Sequence, residues 1–279
     1  MKTIITAALT GAISPKSKNP NIPVTPKEIA ADGIRCWKAG ASILHLHMRD
    51  DNFKGILDKE RFRETVNILR GSCDAILNLT TSGELNVSDE RRLEHVLELK
   101  PEMATFDAGT INASDGIFEN SVEFLMKLGK LLIENGVRPE VEVMDLGMIS
   151  AAQYYQSKGA LKAPVHYQFV LGFGFSGAPA TPDNLLYMKS KIPSDATFSA
   201  FGTGNSHLPI LYTTIAIGGH VRVGLEDNLF YGPGVLATNE TLVQRAGRVI
   251  REFGNDVATP ADAREILGLR QIPPSGERQ

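Results

Sequence analysis

Two histidines one residue apart, His45 and His47, close an apolar run in Ile43-Leu44-His45-Leu46-His47-Met48-Arg49-Asp50. Alternate side chains of a strand share a face, so this spacing predicts both imidazoles on one side and Leu44, Leu46 and Met48 on the other. Two adjacent imidazoles are what a first-row divalent ion, zinc most often, takes as part of its ligand set. A catalytic zinc adds a third protein ligand and keeps a position open. The strongest source of that ligand is residues 218–228, where His220 and Arg222 share a strand face and Glu226 and Asp227 follow at the strand's end. An arginine buried there requires a carboxylate partner. Glu142 is a further candidate: Glu140 and Glu142 alternate with Val141 and Val143, and valines facing an apolar layer send Glu142 to the interior.

Weaker signals accompany these. Thr80-Thr81-Ser82-Gly83-Glu84 forms a small polar loop able to bind carbonyl or carboxylate oxygens, and Thr105 precedes Asp107-Ala108-Gly109-Thr110. Glycine-rich stretches at 172–177 and 202–205 suit phosphate approach or ordinary tight turns equally, and neither carries the lysine spacing of a P-loop.

The elements that position these residues follow from periodicity. Short apolar runs rich in β-branched residues lie at 3–9, 41–48, 74–80, 103–108, 140–145, 165–171, 197–201 and 220–225, which makes eight strands. Helical patterns lie between and after them at 26–39, 59–70, 88–99, 121–135, 150–158, 183–190, 208–217 and 239–253. Thr25-Pro26-Lys27-Glu28 supplies an N-cap, a first-turn proline and a capping-box carboxylate, and Gly40, Gly136 and Gly254 close helices. Eight strand–helix pairs predict an α/β chain folded as a (β/α)8 TIM barrel. The expected domain is single, spanning 1–279, with an added terminal helix at 261–267 and a polar tail over 270–279. A doubly wound nucleotide-binding sheet is the rival, but Thr10-Gly11-Ala12-Ile13-Ser14-Pro15 lacks its glycine fingerprint. In a barrel the reactive groups belong at the C-terminal ends of the strands, where the candidates above fall.

Composition narrows the partners. With 279 residues, 42% hydrophobic and 22% charged, the chain is neither disordered nor a disulfide scaffold. A net charge of -3 offers no field for a polyanion, so nucleic acid is excluded as a global partner. The first ten residues read as a buried strand rather than a signal segment, and no apolar run reaches the ~20 residues of a membrane span. Two cysteines, Cys36 and Cys73, without metal or framework spacing, fit a cytoplasmic protein.

Eight blocks taken together resemble the zinc-dependent β-keto acid cleavage enzymes: Thr10-Gly11-Ala12, Pro23-Val24-Thr25-Pro26, His45-Leu46-His47, Thr81-Ser82-Gly83, Pro101-Glu102-Met103-Ala104, residues 142–148, Ala180-Thr181-Pro182-Asp183-Asn184-Leu185 and residues 219–228. The resemblance spans nearly the whole chain, and the best-known members of the family act on 3-keto-5-aminohexanoate. It implies a TIM barrel, commonly tetrameric, that exchanges acyl groups between a β-keto acid and acetyl-CoA and releases acetoacetate and an acyl-CoA. It assigns His45, His47 and Glu226 as zinc ligands and Asp227 as the base at the substrate's C2. Arg222 would sit between Asp227 and Glu142, while Thr81, within Thr81-Ser82-Gly83, and Thr105 match substrate-contacting positions.

Two departures bear on the substrate. Ile13 stands where the aminohexanoate enzymes place a glutamate, which disfavours an amino-keto acid, and Glu84 replaces a second glycine in the polar loop, at the substrate end of the pocket. Lys16 and Lys18 follow Ile13 as candidates for an acidic end group or as solvated surface charge. The alternatives are a class II aldolase-like zinc lyase working without acetyl-CoA, and a barrel that binds a metabolite without turnover.

Overall fold

The computed structural model describes residues 1–113 and 116–270, so the tail expected over 270–279 lies, beyond Arg270, outside the described residues. Eight parallel strands close into a barrel. They are β1 (Ile5–Ala8), β2 (Ile43–Leu46), β3 (Ile76–Leu79), β4 (Met103–Asp107), β5 (Arg138–Val143), β6 (His166–Leu171), β7 (Thr197–Gly202) and β8 (His220–Val223). Each pairs with its sequence neighbour, and β8 returns to β1 through Val221 opposite Ile5 and Arg222 opposite Thr6. The helices are α1 (Pro26–Ala39), α2 (Lys59–Ser72), α3 (Asp89–Leu99), α4 (Val122–Glu134), α5 (Leu146–Ser157), α6 (Pro182–Lys189), α7 (His207–Ala216), α8 (Asn239–Glu252) and α9 (Pro260–Leu267). No helix among the described residues is long and apolar enough to cross a membrane.

Strand alternation sorts the residues as the pattern requires. Leu44, Leu46, Leu77, Leu79, Phe106, Val141 and Val143 face outward into the apolar layer shared with the helices. Inward, the base of the barrel is a separate apolar plug in which Ile4, Ile43, Ile76 and Met103 pack on Ala263 and Leu267 of α9. The terminal helix therefore seals the end opposite the expected chemistry. Above the plug the interior turns polar and internally bonded: Asn78 Nδ2 donates to Glu140 Oε1 (2.7 Å) and Ser199 Oγ to Gln168 Oε1 (2.6 Å).

Side-chain caps set the helix starts. Thr25 closes the expected capping box with Glu28, and Thr259 forms another with Asp262 at α9. Asp145, expected at the end of the fifth strand, instead accepts the Met148 N–H (2.9 Å) as an N-cap. That capture ends β5 at Val143 and starts α5 at Leu146, not at 150. The second strand is shorter than the expected 41–48, because Met48–Arg49 leaves the barrel to pair antiparallel with Gly55–Ile56.

Candidate active site

His45 ends its run inside the barrel and His47 follows just past β2; their rings meet edge to face with centroids 5.0 Å apart. Both present Nε2 to one oxygen of Glu226, at 3.4 Å from His45 and 3.5 Å from His47. Ligand atoms ~2.0–2.2 Å from a tetrahedral zinc lie roughly 3.3–3.6 Å apart, so these separations match the edges of a metal polyhedron. The other oxygen, Glu226 Oε2, is buried with no hydrogen-bond partner among the described residues, as a carboxylate awaiting a cation would be. Burial holds His45 down to about 4, which leaves the imidazole neutral and able to donate a lone pair. Burial pushes the Glu226 carboxyl up, yet Arg222 and the two imidazoles outweigh it and hold the group well below the usual carboxylate range.

Two glycines admit the loops that press on this cluster. Gly11 (φ +59°) lies where a Cβ would come within 2.6 Å of Glu226 Cγ, and Gly83 (φ +109°) where one would come within 2.8 Å of His47 Nδ1. Only a residue without a Cβ fits both the left-handed backbone and the close approach.

Arg222, buried at the upper end of β8, gathers three carboxylates. Its Nε and Nη2 reach Asp227 Oδ2 and Oδ1 (both 3.0 Å), Nη2 also reaches Glu226 Oε1 (2.5 Å), and Nη1 reaches Glu142 Oε1 (3.1 Å). The ring of Phe201 lies 4.5 Å from the guanidinium carbon and covers it on one side. The bidentate fork fixes the Asp227 carboxylate in one plane. Burial raises Asp227 to about 6 against the pull of Arg222, which poises it near neutrality for moving a proton.

These groups line a cavity of about 890 Å³ at the C-terminal end of the barrel. Of the residues singled out from sequence, Ile13, Ser82, Gly83, Glu84, Glu142, Arg222, Glu226, Asp227 and both histidines stand on its wall. Thr81 and Thr105 do not: Thr81 N–H donates to Thr105 Oγ1 (2.9 Å) and Thr81 Oγ1 to Thr105 O (3.1 Å), fully buried behind the polar loop. Their hydroxyls hold the loop's shape. Glu84 Oε2 accepts the Leu57 N–H (2.8 Å) and lies 3.5 Å from Arg91, so its charge is already engaged. Lys16 pairs with Glu28 (3.3 Å), away from the cavity wall.

Two residues, one on the cavity wall and one behind it, were given no role by the sequence. Asp107 stands on the wall beside Glu142, and strand alternation from Thr105 was the signal that pointed to it. Arg49, almost fully buried, donates to Thr10 Oγ1 (2.9 Å), Thr10 O (2.5 Å) and Phe53 O (2.8 Å). It ties the loop carrying Ile13 to the turn carrying Phe53, and nothing in its local sequence marks it.

Comparison with known proteins agrees with this geometry. The model of the beta-keto acid cleavage enzyme family matches residues 2–269. The 3-keto-5-aminohexanoate cleavage enzyme of Fusobacterium nucleatum is 44% identical over 273 residues, 97% of this chain and 99% of that one. The 3-dehydrocarnitine:acetyl-CoA trimethylamine transferase of Rhizobium meliloti is 36% identical, covering 96% of this chain and 97% of its own. Among solved structures, the ternary complex of ObcA with a C4-CoA adduct and oxalate superposes with a TM-score of 0.80 at 20% identity, over 90% of this chain and 68% of that one, a likeness of fold. A closed eight-stranded barrel, a His–His–Glu cluster at its mouth and a match along nearly its whole length place this chain in the β-keto acid cleavage enzyme family.

Proposed function

We propose that the cavity condenses a β-keto acid with acetyl-CoA and releases acetoacetate and the CoA ester of the remaining acid. The observation that carries this reading is the Asp227 carboxylate, clamped by Arg222 next to the His45–His47–Glu226 cluster. Those three residues would hold zinc, which as a Lewis acid stabilises the negative charge that develops on a β-keto acid when C2 loses a proton.

The protein's own groups divide the remaining work. Asp227 takes the C2 proton, and Arg222 keeps its oxygens aimed while Glu142 occupies the far side of the guanidinium. The carbanion attacks the thioester carbonyl, and the C–S bond breaks to release CoA thiolate. The thiolate attacks the original ketone carbon, the C2–C3 bond breaks, and Asp227 returns its proton to C2 of the departing acetoacetate. Ser82 and Gly83 offer polar contact to the substrate from the loop that Thr81 and Thr105 brace. No side-chain nucleophile is required.

Ile13, Phe53, Ile56, Leu85 and Phe118 supply apolar surface on the cavity wall, which also carries Asp50, Asn52 and Lys54, while the Glu84 carboxylate is engaged by the Leu57 N–H and Arg91. An uncharged aliphatic end fits that apolar surface better than an ammonium. The reading extends to a cytoplasmic homotetramer. The half-exposed side chains of Leu186, Tyr187, Leu208 and Tyr212 on the adjacent helices α6 and α7 supply apolar surface for contacts between copies, and the two buried thiols are free. Sedimentation tests the assembly.

The decisive experiment measures bound zinc and CoA-ester formation from a panel of β-keto acids with aliphatic, hydroxyl, carboxylate and ammonium ends. Stoichiometric zinc and acetyl-CoA-dependent thioester formation support the reading. Full activity in zinc-free protein, or cleavage without acetyl-CoA as in a class II aldolase-like lyase, overturns it.

A further inference from the structure

Asp107 on β4 and Glu142 on β5 are direct neighbours in the parallel register, and both stand on the cavity wall. They are almost wholly removed from solvent, 2% and 8% exposed, with their carboxyl groups within hydrogen-bonding reach of each other. Glu142 also accepts from Arg222 Nη1 (3.1 Å). Asp107 has no such donor, and its Oδ2 is buried without a hydrogen-bond partner among the described residues. Ionised carboxylates only accept hydrogen bonds, and like charges in a buried site repel. Two of them in contact therefore require a proton.

We infer that Asp107 and Glu142 hold a single proton between them, and that Asp107 is thereby a positioning residue that orients Glu142 against Arg222 and so steadies Asp227. The charged and titratable groups that face the pair are Arg222 from β8, Arg92 from α3 and His47 beyond β2, with Glu140 one turn of the pleat below Glu142. Sharing one proton leaves the pair with one negative charge, which Arg222 matches. Glu226 and Asp227 then remain to face a divalent cation held with the two imidazoles. A doubly ionised pair would bury a negative charge with no partner. Burial raises both carboxyls above their ordinary range, in the same direction.

The catalytic consequence rests on the function proposed above, whereas the shared proton does not. Infrared spectroscopy separates them, because the carbonyl stretch of a protonated carboxyl group is resolved from carboxylate bands without turnover. Spectra are taken at about pH 8, above any unperturbed carboxyl, with and without bound zinc. Glu140→Gln serves as background, since burial lifts Glu140 to about 7 and gives it a band of its own. A protonated-carboxyl band is expected to persist in Glu140→Gln and to vanish when Asp107→Asn is added. Absence of the band in Glu140→Gln, or its persistence after Asp107→Asn, overturns the shared proton. In turnover, Asp107→Ala is expected to lower kcat about 10–100-fold with KM little changed, the usual cost of losing a supporting group. Asp107→Asn, whose amide N–H donates where the proton stood, is expected to recover most of that loss. Equal losses in the two variants overturn the positioning role.

Discussion

Replacing Arg222 with lysine keeps the positive charge and removes the planar fork. Arg222 makes four hydrogen bonds to three carboxylates, and two of them, from Nε and Nη2, hold both oxygens of Asp227 at 3.0 Å. A lysine ammonium on a flexible stem cannot reproduce that parallel pair. Each charge-assisted bond contributes about 1.5–3 kcal/mol, so losing both costs roughly 3–6 kcal/mol of orientation. At about 1.4 kcal/mol per decade, proton transfer should slow by roughly 10²–10⁴-fold, the range over which general bases act. The assay is deuterium uptake at C2 of a β-keto acid, followed by nuclear magnetic resonance in deuterated buffer without acetyl-CoA, after subtraction of the uncatalysed rate. Omitting acetyl-CoA isolates the first proton transfer from every later bond change. Zinc is measured in the same samples, because Arg222 also touches Glu226. If Arg222→Lys retains zinc and exchanges C2 hydrogen at the wild-type rate, Arg222 does not position the base.

His47→Ala removes one of the three groups of the cluster and should reduce retained zinc from about one ion per chain to a small fraction after dialysis, read by elemental analysis; full retention refutes the ligand set. Gly83→Ala puts a Cβ 2.8 Å from His47 Nδ1 at φ +109° and should destabilise the fold by about 1–3 kcal/mol while weakening zinc binding. An unchanged denaturation midpoint would show that the loop yields freely. Ile13→Glu places a carboxylate among the apolar side chains of the cavity wall and should shift kcat/KM toward an ammonium-ended β-keto acid by roughly 10-fold or more relative to an aliphatic one. No change in that ratio removes Ile13 from specificity. Burial holds His95 down to about 4, with its Nε2 on Thr80 O (2.8 Å) and its ring stacked on Phe62. Its unfolded form takes up a proton near pH ~6.5 that the folded form refuses, so its stability contribution is full above that pH and falls as the pH drops toward 4. His95→Gln should flatten the loss by up to about 1.4 kcal/mol per pH unit, measured by urea denaturation, and parallel slopes would contradict the assignment.

The parts of the site that were legible in sequence are those governed by two-residue alternation. His45 and His47, Glu142 against Val141 and Val143, and Arg222 within its strand were each sorted by face, and a buried arginine demanded the acids found around it. Alternation also favoured Thr105 and Asp107 equally, since both face inward. What separates them is depth along the barrel axis: two residues of tilted strand lift Asp107 about 5 Å closer to the mouth than Thr105. Depth depends on the stagger between strands, here Asp107 level with Glu142 and Met103 level with Arg138, and no local pattern encodes that stagger. Asp145 was misplaced for a different reason: it reads as strand by alternation, but a local bond from the Met148 N–H makes it the N-cap of α5. Lys16, only three residues from Ile13, is drawn instead to Glu28 at the start of α1 by a fold of the loop that alternation does not describe. A face is a property of spacing and can be read from one chain segment, whereas a cavity wall is set by the register of all eight strands. Asp107 is therefore the residue whose substitution best tests how far the second can be inferred from the first.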